Sequence, residues 1–273
     1  MTALTPNTKA ASADTSPEPA GPGSYRYNED FYRYIQIGSR RSAHSIIPIV
    51  LRELSPASVL DVGCGAGAWL SEYRNCGIAD YLGVDGAYVQ PASLLISPEH
   101  FQSQDVAQPF DLGRRFDLVQ CLEVGEHLPK AASETLIENL IRHSNKVIFS
   151  AATPGQGGEN HINEQTHEFW RLLFARHGYQ PFDFLRPLIK DLSSVESWYR
   201  RNIILYVAQS VIHELPPAVR QSGIRNDQAI PVISSLTFRI QSRILSLLPP
   251  SWVSKIALAK HNVVIASRSL RKR

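Results

Sequence analysis

Ser58-Val59-Leu60-Asp61-Val62-Gly63-Cys64-Gly65-Ala66-Gly67 is an apolar run that enters a glycine-rich turn, with one acid planted just ahead of the glycines. Val59, Leu60 and Val62 suit a strand buried in a parallel sheet, and Ala66 to Arg74 suits the helix that must follow. Gly63, Gly65 and Gly67 accept positive φ, and without a Cβ they let the backbone come close to a ligand. A turn that opens a helix also offers free amides to an anion. Gly63-x-Gly65-x-x-Ala68 fits the loose dinucleotide fingerprint, which by itself does not decide the ligand.

Working outward, Tyr81-Leu82-Gly83-Val84-Asp85 reads as the next strand, and an acid at its end can accept both hydroxyls of a ribose. Gln104-Asp105-Val106 then precedes Phe116-Asp117-Leu118-Val119-Gln120-Cys121-Leu122, a further apolar strand. The spacing D-x-G-x-G-x-G and these later segments, in this order and with helix-length spacers, resemble the motifs of class I S-adenosyl-L-methionine (SAM)-dependent methyltransferases over roughly residues 45–210. The resemblance implies SAM as cofactor, held around Asp61, Gly63, Gly65, Gly67, Asp85, Asp105, Val106 and Leu122, with Asp105 meeting the adenine amino group. Strands expected near 57–62, 80–85, 101–105, 116–122, 145–151, 179–185 and 202–208 alternate with helical patterns, so the fold class is α/β. The family implies a Rossmann-like, seven-stranded, mostly parallel sheet in the order 3-2-1-4-5-7-6, helices on both faces, the seventh strand antiparallel. Ligands of such sheets sit at the carboxyl ends of the strands.

Glu123-Val124-Gly125-Glu126-His127 follows the fourth strand. In a helical turn Glu123, Glu126 and His127 would face one way, offering bases or metal ligands, or Glu126 would merely orient His127. After the fifth strand comes a polar, glycine-rich stretch from Ala152 to Gln165 that contains His161, and polar loops of that length are often functional. The pairing of E-x-x-E-H with a later histidine resembles ubiquinone-pathway O-methyltransferases and small-RNA terminal 2′-O-methyltransferases. That likeness implies Glu123, Glu126, His127 and His161 as ligands of magnesium (Mg2+) or another divalent cation, although the surroundings of His161 depart from both groups. Glu126, His127 and His161 are the candidate catalytic residues, with a histidine as general base or a cation lowering the acceptor's pKa. Oxygen is the expected acceptor atom, with nitrogen and carbon left open.

The chain has 273 residues, 43% of them hydrophobic, enough for one α/β domain with extensions. Residues 1–24 are Ala-, Pro-, Ser- and Thr-rich and read as a disordered tail. Residues 25–56, opening with Tyr25, Tyr27, Phe31, Tyr32 and Tyr34, suit a helical lid or a helix packed on the sheet. Residues 57–210 form the SAM-binding domain, and 211–273 a basic helical C-terminal extension. From Gln228 onward there are eight Lys or Arg and no acid, which leaves 20 basic against 25 acidic residues, a net −5, in residues 1–227. Leu236, Ile240, Ile244, Leu247 and Leu248 share a helical face, and Ile256, Val263 and Val264 suggest a second helix. Such a basic pair suits a peripheral membrane contact, a protein partner, or packing on its own domain. Three cysteines, no apolar run of membrane-spanning length and no basic-then-apolar leader pattern lead to an expectation of a cytoplasmic protein without disulfides.

The acidic SAM-binding domain speaks against nucleic acid lying across it and for a small-molecule acceptor: a specialised metabolite, a sugar or a quinone-like ring. The rivals are an RNA methyltransferase gripping through the basic C-terminal helices, a SAM-fold scaffold without chemistry, and a nicotinamide oxidoreductase.

Overall fold

The computed structural model describes residues 29–225, 227–233, 244, 245 and 252. Seven strands form one sheet in the order β3-β2-β1-β4-β5-β7-β6. They are β1 (Ser58–Val62), β2 (Asp80–Asp85), β3 (Phe101–Ser103), β4 (Leu118–Leu122), β5 (Lys146–Ser150), β6 (Tyr179–Phe182) and β7 (Ile204–Ala208). β7 runs antiparallel between β5 and β6, and the other pairings are parallel. This is the Rossmann-like order and orientation that the sequence resemblance implied. Its order reverses between β1 and β4, where Asp61 lies level with Gln120, and the crevice for a ligand opens there.

Several strands are shorter than their hydrophobic runs. β4 begins at Leu118 because the Asp117 amide donates to the Ser58 hydroxyl, while its carboxylate accepts the amides of Ala57 and Ser58 at the entry to β1. β3 ends at Ser103, and the last bond of its parallel ladder runs from the Gln104 amide to the Asp85 carbonyl. Pro181 is tolerated inside β6 because β6 is an edge strand, where a missing amide costs least.

The helices that cover the sheet are α1 (Glu29–Leu54), α2 (Ala68–Asn75), α3 (Ser133–His143), α4 (His167–Arg176), α5 (Leu185–Ile189), α6 (Ser197–Asn202) and α7 (Pro217–Gln221). On one face Ile46, Ile47 and Val50 of α1 pack with Trp69 and Tyr73 of α2 against Val59, Leu118 and Leu205. From Ala43 onward α1 is therefore core, the packed-helix alternative for this segment. On the other face Leu136, Ile137 and Leu140 of α3 join Trp170 and Phe174 of α4 over Leu60, Val119 and Phe149. Within the C-terminal extension Leu215, Val219, Ile224 and Ile230 are also buried in these two cores. The two basic amphipathic helices expected there lie outside the described residues, apart from Ile244 and Leu245. Among the described residues no helix is long and apolar enough to cross a membrane. Cys64, Cys76 and Cys121 are free, and Cys121 is buried in the sheet.

His167, the first residue of α4, is buried, and burial followed by the charge of Arg186 pushes its pKa down to about 4. The fold therefore prefers the neutral ring, while the unfolded chain takes up a proton near 6.5. Stability from this group is complete above about pH 6.5 and is lost as pH falls toward 4, by about 3 kcal/mol in all. Urea titrations from pH 7 to 4 should show His167→Gln losing less stability than the wild type over that window; parallel curves would refute the assignment.

Candidate active site

The turn after β1 is held by β2. The amides of Gly63 and Cys64 donate to the Val84 carbonyl at 2.8 and 3.2 Å, and the Gly65 amide donates to an Asp85 carboxylate oxygen at 2.6 Å. Gly63 stands at φ 77°, and a Cβ there would lie 2.3 Å from a Val124 methyl. A Cβ on Gly65 would meet nothing within 4 Å, so this is the side of the turn that faces open space. Gly63→Ala combines left-handed strain with a clash, a loss of about 2–4 kcal/mol. Its melting temperature should fall by roughly 5–15 °C; an unchanged value would show that the turn can relax.

Asp85 is 4% exposed and accepts three hydrogen bonds, from the amides of Gly65 and Gly86 and from the Tyr88 hydroxyl. Burial raises its pKa, and those three donors work against the rise. Of about four lone-pair positions on a carboxylate, one is left for a ribose, and a second is reached by exchanging with Tyr88. Asp61 is buried one strand away, with one oxygen lacking a hydrogen-bond partner. Burial pushes its pKa up to about 7, the Gln120 amide eases it, and the charge of Asp85 adds to it. Asp105 is exposed and accepts the Ala107 amide at 3.0 Å, while Val106 and Leu122 are buried beside it and at the end of β4. A buried acid pair over a glycine turn that leaves room above it fits a nucleoside bearing a cationic centre.

The segment after β4 differs from the helical turn expected. Glu123 adopts φ 55°, a left-handed conformation, and only Gly125–His127 form a single tight turn. The Glu123 carboxyl stays outside the group formed by Glu126, His127 and His161, yet it lies close enough to Glu126 to raise that acid's pKa. Its oxygens take the Gln156 amide at 3.1 Å and the Asn202 amide at 3.2 Å. Glu126 is fully buried, and neither of its oxygens receives a hydrogen bond of ordinary geometry. Burial first, then the charge of Glu123, holds its pKa well above the carboxylate range.

The polar loop after β5 folds back over this turn. The amides of Ile162 and Asn163 donate to the Glu126 carbonyl at 2.9 and 3.0 Å, and the Asn163 side chain donates to the Gly125 carbonyl. Gly125 is needed here because a Cβ would lie 2.7 Å from the Trp170 ring. The result is one cluster in which ligand atoms of Glu126, His127 and His161 all lie within 4.8 Å of one another, with Glu123 outside it. His127 contacts the Asn160 carbonyl through Nδ1 at 3.2 Å, and its ring meets that of His161 edge-on at 4.9 Å. Burial, helped by His161, pushes the pKa of His127 down to about 3. The cluster thus combines three of the four residues that the sequence singled out. Glu164, Gln156, Asn202 and Tyr88, which complete the network, carried no motif; Glu164 alone had a visible sign, an acid three residues after a loop histidine.

A glycine turn on β1, a buried acid ending β2 and a cluster of acids and histidines beyond β4 and β5 define a class I SAM-dependent methyltransferase. Residues 31–186, more than half of the chain, match the family described as Methyltransferase domain, and the chain belongs to that family. It is 34% identical over 87 residues to a ubiquinone biosynthesis O-methyltransferase of Azorhizobium caulinodans, covering 29% of this chain and 33% of that protein. It is 30% identical over 129 residues to the Acinetobacter baumannii protein of the same name, covering 40% and 53%. The chain thus spans between a third and about half the length of these curated relatives. Among solved structures, a sugar N-methyltransferase from a Streptoalloteichus species superposes with a TM-score of 0.53 at 18% identity, over 73% of this chain and 99% of that one. DesVI of Streptomyces venezuelae gives 0.51 at 14% identity, over 67% and 100%. Those two likenesses concern the fold.

Proposed function

We propose that this enzyme methylates an oxygen of a small-molecule acceptor, a hydroxyl on a specialised metabolite, a sugar or a quinone-like ring, and that His161 receives the departing proton. The observation that carries this reading is the pairing of the His161 Nδ1 with a Glu164 oxygen at 2.9 Å, beside Glu126 and His127 at the carboxyl ends of β4 and β5. A hydroxyl must lose its proton to attack a methyl group, and an imidazole backed by a carboxylate can take that proton and hold the charge. His127 is the weaker candidate, since a ring whose pKa lies near 3 is a poor proton acceptor at neutral pH. SAM supplies an activated methyl when bound. Asp61, Asp85, Asp105 and the Gly63–Gly67 turn would hold it so that the acceptor oxygen can align with the methyl–sulfur bond. The names of the ubiquinone-pathway relatives speak for oxygen, and the acidic balance of residues 1–227 speaks against a polyanionic substrate.

A second reading is favoured by the grouping of Glu126, His127 and His161, whose ligand atoms lie within 4.8 Å of one another. Glu126, His127 and His161 would hold a divalent cation through carboxylate oxygen and imidazole nitrogen, a donor set that suits such ions. Glu123, held by Gln156 and Asn202 and neighbouring Glu126, would be the fourth ligand.

Methyl-labelled SAM, offered with catechols, hydroxybenzoates, nucleotide sugars and short RNAs, tests the acceptor class. Label on a small-molecule oxygen is the expected product. Label on RNA alone, or on nitrogen, would overturn the proposal.

A further inference from the structure

We infer that Glu164 is the positioning residue for His161, holding the imidazole in the tautomer that carries its proton on Nδ1 and leaves Nε2 as the basic nitrogen. The inference rests on the reading of His161 as a group that acts through its ring. One Glu164 oxygen accepts the Gly155 amide at 2.7 Å, and the other accepts the Gly157 amide at 2.8 Å and the His161 Nδ1 at 2.9 Å. An ionised carboxylate only accepts, so the third bond requires the proton to sit on Nδ1. Gly155 at φ 76° and Gly157 at φ 71° turn their amides toward the same carboxylate, the geometry of an anion-binding nest, here filled by a residue of the protein itself. Gly158 contributes space: a Cβ there would lie 2.0 Å from the His161 Nε2. The run Gly155-Gln156-Gly157-Gly158-Glu159-Asn160-His161-Ile162-Asn163-Glu164 thereby has one physical explanation. Two glycines aim amides at an acid, a third makes room for the imidazole, and the acid orients the ring. Partners of this kind orient functional histidines in metal sites and in proton-transfer sites alike.

The tautomer can be read without knowing the acceptor. Nitrogen NMR of the full chain carrying 15N-labelled histidine, treated with a chelator, reports which ring nitrogen bears the proton, and the His161 signals are those lost in His161→Gln. The expected wild-type spectrum has the Nδ1-protonated pattern at His161. Glu164→Ala should lose that pattern while calorimetry finds SAM affinity unchanged, and Glu164→Gln should retain it because one amide oxygen still accepts from Nδ1. An Nε2-protonated His161 in the wild type, or an unaltered pattern in Glu164→Ala, would overturn the inference. Should Glu164→Ala fail to fold, the wild-type and Glu164→Gln spectra decide. Turnover plays no part in this readout, so a His161 that proves dispensable for methyl transfer would count against the functional reading alone.

Discussion

His161→Ala is expected to bind SAM as the wild type does and to lose about 10²- to 10⁴-fold in kcat, the usual contribution of a positioned general base. The proposed SAM cradle lies on β1 and β2, through Asp61, Asp85 and the glycine turn, whereas His161 sits in the loop after β5 and is tied to Glu164 and to the turn around Glu126. Separate supports mean separable effects. A chelator divides the two readings of the cluster. With His161 as base, chelation leaves the wild-type rate intact. With a cation held by Glu126, His127 and His161, chelation abolishes turnover and added magnesium or manganese restores it. Wild-type rates in both His161→Ala and His127→Ala would make the cluster structural and move the chemistry elsewhere.

Asp85→Ala should weaken SAM binding about 10- to 100-fold, because a hydrogen bond to a buried carboxylate contributes roughly 1.5–3 kcal/mol. The substitution has a second consequence that the residue's position at the end of a strand does not reveal. The same carboxylate holds the Gly65 and Gly86 amides, so its loss also unlatches the glycine turn. Asp85→Asn, which keeps one acceptor oxygen and the volume, should fall between the wild type and Asp85→Ala. Calorimetric titration with SAM and with its demethylated product measures both variants, and wild-type affinity in Asp85→Ala would remove Asp85 from the cofactor site.

The strands, the glycine turn and the terminal acids were legible in the chain because their signals are local. Val59, Leu60 and Val62 must be buried on both faces of a sheet, Gly63 must accept a positive φ, and Asp85 must follow an apolar strand; each requirement is met within a few residues. The strand order was not available from those patterns and came from the family's motifs. The turn after β4 departs from the helical spacing for an equally physical reason. Helical spacing put Glu123 with Glu126 and His127, but a non-glycine residue in the left-handed region has no sequence signature. What holds it there is contact with Gln156 and Asn202, 33 and 79 residues further along the chain.

The sequence by itself therefore determined the class of sheet, the glycine turn and a set of candidate groups for chemistry, because backbone periodicity and glycine geometry act between near neighbours. Only the tertiary structure decided which of those groups meet. Docking of the loop after β5 onto the Glu126 carbonyl brings His161 to His127, and convergence of the Gly155 and Gly157 amides makes Glu164 the partner of His161. Such contacts form because buried amides and carboxylates must find partners once water is excluded, and which partners they find depends on the packed fold as a whole.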